Sequence, residues 1–242
     1  MRSVSIVIPA YNEQARLPAT LERVIAYLAG KHFEFAEIVV VDDGSRDGTA
    51  KLVENWRADH ASIRLVRNPG NRGKGFTVRH GVFESKGEWI LTTDADLSAP
   101  IEELDKLIAA VERENAKVAI GSRALDRSLV GVHQSPFREF AGRVFNVLMR
   151  LVTGLPFRDT QCGFKLFEAA AAREIFSRQT LEGFSFDVED LVIAKVLGLE
   201  AVEVPVVWNN VEGTKVSALN GAASYAALIG IRWRALTGRY KR

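Results

Sequence analysis

Five short runs rich in β-branched and apolar residues, at 4–8, 37–41, 63–66, 89–91 and 118–120, alternate with segments of helical periodicity. This alternation limits the chain to a narrow set of folds. In 17–28 the residues Leu17, Leu21, Val24, Ile25 and Leu28 recur at helical spacing, and further helices are predicted over 49–59, 74–85 and 101–114. Strands that are apolar on both faces need cover on both, so the reading is α/β: a mostly parallel sheet between two layers of helix. Ligands of such sheets sit beyond the carboxyl ends of the strands. The 242 residues suffice for one domain with an accessory C-terminal region, and no repeat or linker divides them.

The second half is less regular. Residues 124–136 read as a loop, and 137–151 as an amphipathic helix with Phe137, Phe140, Val144, Leu148 and Leu151 on one side and Arg143, Asn146 and Arg150 on the other. A strand or hairpin is expected at 163–167, a helix within 185–196 and a strand at 202–208. Residues 216–236 form a second amphipathic segment, too polar to span a bilayer. The net charge of +2 calls for no nucleic-acid partner. After Glu212, however, every charged residue is basic (Lys215, Arg232, Arg234, Arg239, Lys241, Arg242), which suits an anionic membrane surface or a solvated tail. The single cysteine, Cys162, excludes a disulfide framework and reads as a packing residue, and the N-terminus shows no signal-peptide pattern, so a cytoplasmic location is expected. The four tryptophans read mostly as core anchors, with Trp233, between two arginines, also suited to a headgroup layer.

Chemistry concentrates at the strand ends. The fourth run leads to Asp94-Ala95-Asp96, two carboxylates at i, i+2 that call for a cation; a hard divalent ion that also grips a diphosphate fits best. The first run ends in Pro9-Ala10-Tyr11-Asn12-Glu13, where Tyr11 can stack on a base or sugar and Glu13 can accept from a ribose. The second ends in Asp42-Asp43-Gly44-Ser45, where Asp43 can bind a nucleoside while Asp47 caps the next helix. Asn68–Gly75 carries glycines, Arg72 and Lys74 before a helix, a setting for phosphate, although it matches neither the Walker A nor the dinucleotide glycine pattern. Arg123, after the fifth run, can reach a diphosphate or sugar.

Taken in order, these motifs resemble the family 2 glycosyltransferases of the GT-A fold. The run Asp159-Thr-Gln-Cys-Gly-Phe-Lys-Leu-Phe167, with Phe186-Asp-Val-Glu189 and Glu203-Val-Pro-Val-Val-Trp208, is similar to dolichyl-phosphate β-glucosyltransferases and bacterial polyprenyl-phosphate relatives. The resemblance implies one glycosyltransferase domain, with 1–123 binding a nucleotide-sugar and 124–242 the acceptor. Pro9, Ala10, Tyr11, Glu13, Val41 and Asp43 would line the donor pocket with Lys74 and Arg123. Asp94, Ala95 and Asp96 would bind diphosphate and Mg²⁺ or Mn²⁺, with Ser98 where related enzymes carry a glutamine. Asp159, Gln161, Asp187 and Glu189 would serve catalysis on the acceptor side, and Lys165 the phosphate of a lipid acceptor. The implied reaction inverts the anomeric centre. Transfer to a saccharide, or sugar-nucleotide binding without turnover, are the alternative readings.

Overall fold

The structure is a computed structural model that describes residues 2–132, 146–209 and 219–241. Strands β1 (Ser3–Ala10), β2 (Phe35–Asp42), β3 (Ile63–Arg67), β4 (Trp89–Thr92) and β5 (Val118–Ser122) form at the five apolar runs. Helices α1 (Leu17–Ala29), α2 (Thr49–Asp59), α3 (Lys74–Glu84) and α4 (Leu104–Glu114) connect them, the last entered through a 3₁₀ turn at Ile101–Glu103. Then come β6 (Val130–Val132), α5 (residues 146–153), β7 (Lys165–Glu168), α6 (Ala169–Arg178), α7 (Phe186–Val196), β8 (Ala201–Pro205), β9 (Trp208–Asn209) and α8 (Leu219–Leu236), with a last 3₁₀ turn at Arg239–Lys241.

Seven strands make one sheet in the order β3-β2-β1-β4-β7-β5-β8. Every pairing is parallel except those of β7, which runs antiparallel between β4 and β5. Successive residues of a strand face opposite sides, and β1 shows it. Ile6 and Ile8 join Leu21 of α1, Val53 of α2 and Leu107 of α4 in one core, while Val7 joins Val78 of α3, Ile175 of α6 and Leu191 of α7 in the other. Strand order runs outward from β1 in one direction and from β4 in the other, so a crevice opens between their carboxyl ends. The reversal of β7 places Lys165 opposite both Thr92 and Ile120, delivering the start of β7 to that same edge.

Three expectations change. Residues 124–132 are not plain loop: Arg127–Leu129 is a 3₁₀ turn and β6 follows. Residues 202–208 are not one strand, since β8 stops at Pro205, which has no N–H for the ladder. The Glu103 carboxylate then takes the Val207 N–H at 3.0 Å, and β9 pairs with β6 in a separate sheet. Helix α6 was not expected, because three alanines carry much of its buried face. Of the amphipathic helix expected at 137–151, only 146–151 lies within the described residues, inside α5; 133–145 lies outside them, as does 210–218.

Candidate active site

Past Thr92, the last residue of β4, the chain turns through Asp94–Leu97, closed by Leu97 N–H to the Asp94 carbonyl at 3.2 Å. Leu97 holds φ +45°, a left-handed conformation that leucine rarely adopts. Its side chain is buried in the core, which offsets that strain. The acid pair therefore projects from a turn beyond the strand. Its cations come from opposite faces of the sheet. Lys74, opening α3, sets its Nζ 2.6 Å from Asp94 Oδ1; Arg16, just before α1, sets Nη1 3.5 Å from Asp96 Oδ2. Arg16 also clasps Glu13 with two bonds of 2.6 and 2.7 Å. Burial works against the Lys74 charge, yet Asp94 and Asp187 outweigh it and hold the ammonium above the usual lysine value. Burial likewise works against ionised Asp94, but Lys74, Lys165 and Arg123 keep its carboxyl below the usual range.

Ser98 donates its hydroxyl and its N–H to Asp96 Oδ1 at 2.9 and 3.1 Å, so its observed contact is to the acid it orients. The Ala95 carbonyl accepts from Thr20 Oγ1 at 2.7 Å. Beside the pair, Gly163 leaves room that a side chain would fill: a Cβ there would lie 2.6 Å from Asp94 Oδ2. Among the described residues no three His, Cys, Asp or Glu side chains converge as a metal set. A two-carboxylate site fits a hard ion that keeps phosphate oxygens and water as its other ligands, and does not fit a closed zinc site.

Toward β5, Arg123 grips Asp159 with side-chain bonds of 2.6 and 2.8 Å and lies over the Trp208 ring, 4.7 Å from its centroid. Burial opposes the charge of Asp159, but Arg123 and then Lys165 outweigh it and hold the carboxyl low. Lys165, buried, pairs with Asp187 at the start of α7. Of the residues that sequence reasoning placed at one site, Lys74 pairs with Asp94, Arg123 with Asp159 and Lys165 with Asp187, while Asp96 pairs with Arg16.

Other expected residues stand differently. The Val41 side chain is fully buried, in the core against α3, and Ala10 is buried too, so each can offer a nucleoside little beyond backbone. The Ala10 carbonyl already accepts from the Asp43 N–H at 2.8 Å. Asp43 accepts from Asn68 Nδ2 at 2.7 Å and from the N–H groups of Arg72 and Gly73, both at 2.9 Å. The glycine loop expected to cradle phosphate is used from within as well. The N–H groups of Gly75 and Phe76 donate to the Glu182 carbonyl at 2.7 and 3.3 Å, and a Cβ on Gly73 or Gly75 would come within 2.6 Å of a backbone oxygen of Glu182 or Leu181. These glycines admit another loop of the same chain. Glu189 stands apart from the other acceptor-side acids. It has no exposed surface and accepts from Thr180 N–H, Thr180 Oγ1, Leu181 N–H and the Tyr240 hydroxyl at 2.6–2.9 Å, which fills its acceptor sites. Gln161 is exposed beside Asp159. Pro9, within β1, and Tyr11, just past its end, are half-buried. Trp233 is half-exposed rather than a core anchor.

Sequence reasoning missed Arg16, Asn68, Tyr240 and Asp190. Asp190 is buried, its Oδ1 has no partner among the described residues, and burial, with Asp187 and Glu189 nearby, pushes its carboxyl well above the usual value. Its signal was present as a third acid in Asp187-Val-Glu-Asp190, on the buried face of a helix.

A crevice at the switch point of a parallel sheet, edged by an acid pair and flanked by cations, has the layout to hold an anionic ligand, and the architecture is the GT-A fold. Mannosyl-3-phosphoglycerate synthase from Rubrobacter xylanophilus superposes with TM-score 0.69 at 18% identity, over 100% of this chain and 76% of that one. Glucosyl-3-phosphoglycerate synthase from Mycobacterium tuberculosis, in complex with Mn²⁺, UDP-glucose and phosphoglyceric acid, does so with TM-score 0.66 at 18% identity, over 96% and 80%. The chain belongs to glycosyl transferase family 2, whose family model matches residues 5–176. Among its relatives are dolichyl-phosphate beta-glucosyltransferases of Trichomonas vaginalis (41% identity, 88% of this chain), Dictyostelium discoideum (35%, 98%) and Mus musculus (38%, 99%). The chain spans 65%, 76% and 78% of their respective lengths.

Proposed function

We propose that this chain is an inverting, metal-dependent glucosyltransferase that moves glucose from UDP-glucose to a dolichyl or polyprenyl phosphate at the cytoplasmic face of a membrane. The names of the relatives support glucose and the dolichyl-phosphate acceptor, and the UDP-glucose complex of the structural neighbour supports the donor. The observation that carries the acceptor class is the state of the acceptor-side acids. Asp159 is held by Arg123, Asp187 by Lys165, and Glu189 by four donors. A sugar hydroxyl needs a free base to take its proton. A phosphate monoester, with a second pKa of about 6, is already largely dianionic near pH 7 and needs cations instead.

In this reading Tyr11, Glu13 and Asp43 border the nucleoside, and Lys74 and Arg123 face the diphosphate. Asp94 and Asp96, the latter oriented by Ser98, would hold Mg²⁺ or Mn²⁺. Such an ion, when bound, neutralises charge growing on the departing diphosphate. Lys165, already next to Asp187, positions the attacking phosphate oxygen on the side of the sugar opposite the diphosphate, which inverts the anomeric centre.

The membrane enters through two helices. Ile229, Trp233 and Leu236 on α8 and Val147, Leu148 and Leu151 on α5 are exposed, and Arg232, Arg239 and Lys241 add positive charge near the α8 residues. Arg239 lies over the Trp233 ring, 4.2 Å from its centroid. Such faces suit the interface of an anionic bilayer. Among the described residues no helix is long and apolar enough to cross one.

The deciding experiment offers radiolabelled UDP-glucose with Mg²⁺ or Mn²⁺ to a short-chain polyprenyl phosphate, the matching alcohol and a panel of saccharides. Glucosyl phospholipid should form with the phosphate alone. Transfer to a saccharide, with none to the phosphate, would replace this acceptor, and nucleotide binding without any transfer would leave only a binding module. Flotation with anionic vesicles, at a level no higher than an unrelated protein, would remove the membrane claim.

A further inference from the structure

The acid pair keeps part of its surface exposed, unlike Asp159 and Asp187, yet neither acid is bare. Lys74 occupies Asp94 Oδ1 at 2.6 Å, and Ser98 occupies Asp96 Oδ1 twice. Arg16 faces Asp96 Oδ2 at 3.5 Å while its other N–H groups stay on Glu13. A divalent ion arriving alone must therefore compete with two resident cations. Displacing Lys74 would leave a largely buried ammonium without its nearest anion, an arrangement folded proteins avoid. A nucleoside diphosphate changes the balance. It brings several negative oxygens to the same edge, so Lys74 and Arg16 can exchange carboxylate for phosphate, and the freed carboxylates can take the ion.

We propose that Lys74 and Arg16 are built-in counter-cations that close the Asp94–Asp96 pair to a free divalent ion, so that the ion enters only together with a nucleoside diphosphate. The proposal rests on the donor reading above and adds an order of binding to it. Lys74 thereby acquires two states, paired with Asp94 before the donor arrives and with phosphate afterwards. Removing its charge should weaken the hold on the nucleotide and, unexpectedly for a residue of the same site, strengthen the hold on the bare ion.

The test measures Mn²⁺ by its electron paramagnetic resonance, with Mn²⁺ alone and with Mn²⁺ plus UDP, on the full chain, on Lys74→Gln and on Arg16→Gln. Melting temperatures check the fold, and the solution Mn²⁺–UDP complex is subtracted. Wild type should bind Mn²⁺ alone about tenfold or more weakly than in the presence of UDP, a coupling of ordinary allosteric size. Lys74→Gln should bind Mn²⁺ alone about tenfold more tightly than wild type, the factor expected when one competing charge is removed from a partly exposed site, and bind UDP without metal more weakly. Arg16→Gln should move the same way by a smaller factor, and it carries the test should Lys74→Gln melt early. Equal Mn²⁺ affinity with and without UDP in wild type would overturn the inference and leave the donor reading standing. So would two well-folded variants that gain no affinity for Mn²⁺ alone. No Mn²⁺ bound by wild type even with UDP would instead sink the donor reading, and the inference with it.

Discussion

The two sides of the charged cluster are built from the same residue types and behave oppositely. On the donor side, the side chains of Asp94 and Asp96 are 29% and 20% exposed, and Asp96 touches its cation only at 3.5 Å. On the acceptor side, the side chains of Asp159 and Asp187 are each 7% exposed, and Glu189 is sealed. A carboxylate that keeps some solvent and a loose partner can exchange that partner for a ligand. One that is desolvated and saturated holds architecture, because breaking its bonds leaves a buried group unpaired. Substitutions on the two sides should therefore fail in different ways, one in chemistry and the other in folding.

The largest effect tests the donor side. Asp96→Ala should lower kcat by about a thousandfold, the scale seen when one preorganised electrostatic group is lost from an active site. Its melting temperature should stay within a few degrees of wild type, since only Ser98 and a long Arg16 contact are lost. Undiminished turnover would remove the acid pair from the reaction. On the acceptor side, Lys165→Ala should cost about 3–5 kcal/mol of stability in urea unfolding, because Asp187 is left buried without its counter-charge. Lys165→Met combined with Asp187→Leu should recover most of that loss and still not transfer glucose. A double variant as unstable as the single one would break the comparison, since the pair would then be more than a mutually neutralising unit.

How much of this was legible in the sequence follows the same division. The first five strands, their helices and the acid pair were readable because each is local: an apolar run, a turn, a carboxylate at the exit. What was hidden depends on residues far apart in the chain. Nothing in Gly163–Phe167 announces that β7 enters the sheet antiparallel between β4 and β5, yet that insertion is what carries Lys165 and Asp159 to the site. The glycines at 73 and 75 were read as a phosphate cradle because close approach of a backbone and close approach of a phosphate demand the same residue. Only the structure distinguishes them, by putting the Glu182 carbonyl there. Glu189 was read as catalytic from its place in a motif. Its use became visible only when Thr180, Leu181 and Tyr240, the last 51 positions away, came into contact with it. Cys162, read as a packing residue, is fully buried.

Tyr240→Phe measures that long-range contact at lower amplitude. It removes one donor from a carboxylate that keeps three others, so about 1 kcal/mol of stability should be lost. Donor KM should be unchanged, because the 180–181 loop remains held. A shift in UDP affinity larger than the shift in stability would show that the last turn of the chain tunes the donor side, and the two regions would no longer be separable.

The slope of stability with pH separates the paired acids from Asp190. Asp94 and Asp159 titrate below the usual carboxylate range in the folded chain. Their contribution is complete above the unfolded value of about 4 and is lost as pH falls through the lower folded values. Asp190 is the reverse. Burial, helped by Asp187 and Glu189, raises it, and Lys165 and Arg79 oppose the rise without cancelling it. Between about pH 4 and its folded value the native chain holds a proton that the unfolded chain has lost, so this term declines as pH rises. Asp190→Asn keeps the shape and cannot ionise, so it should abolish that decline. Urea unfolding of the two proteins between pH 4.5 and 8 should give curves that diverge by at most one proton, about 1.4 kcal/mol per pH unit, with the variant gaining on wild type as pH rises. Parallel curves would mean that Asp190 ionises like a surface acid. The sealed side would then hold a charge where its geometry, with an Oδ1 that finds no donor among the described residues, calls for a neutral group.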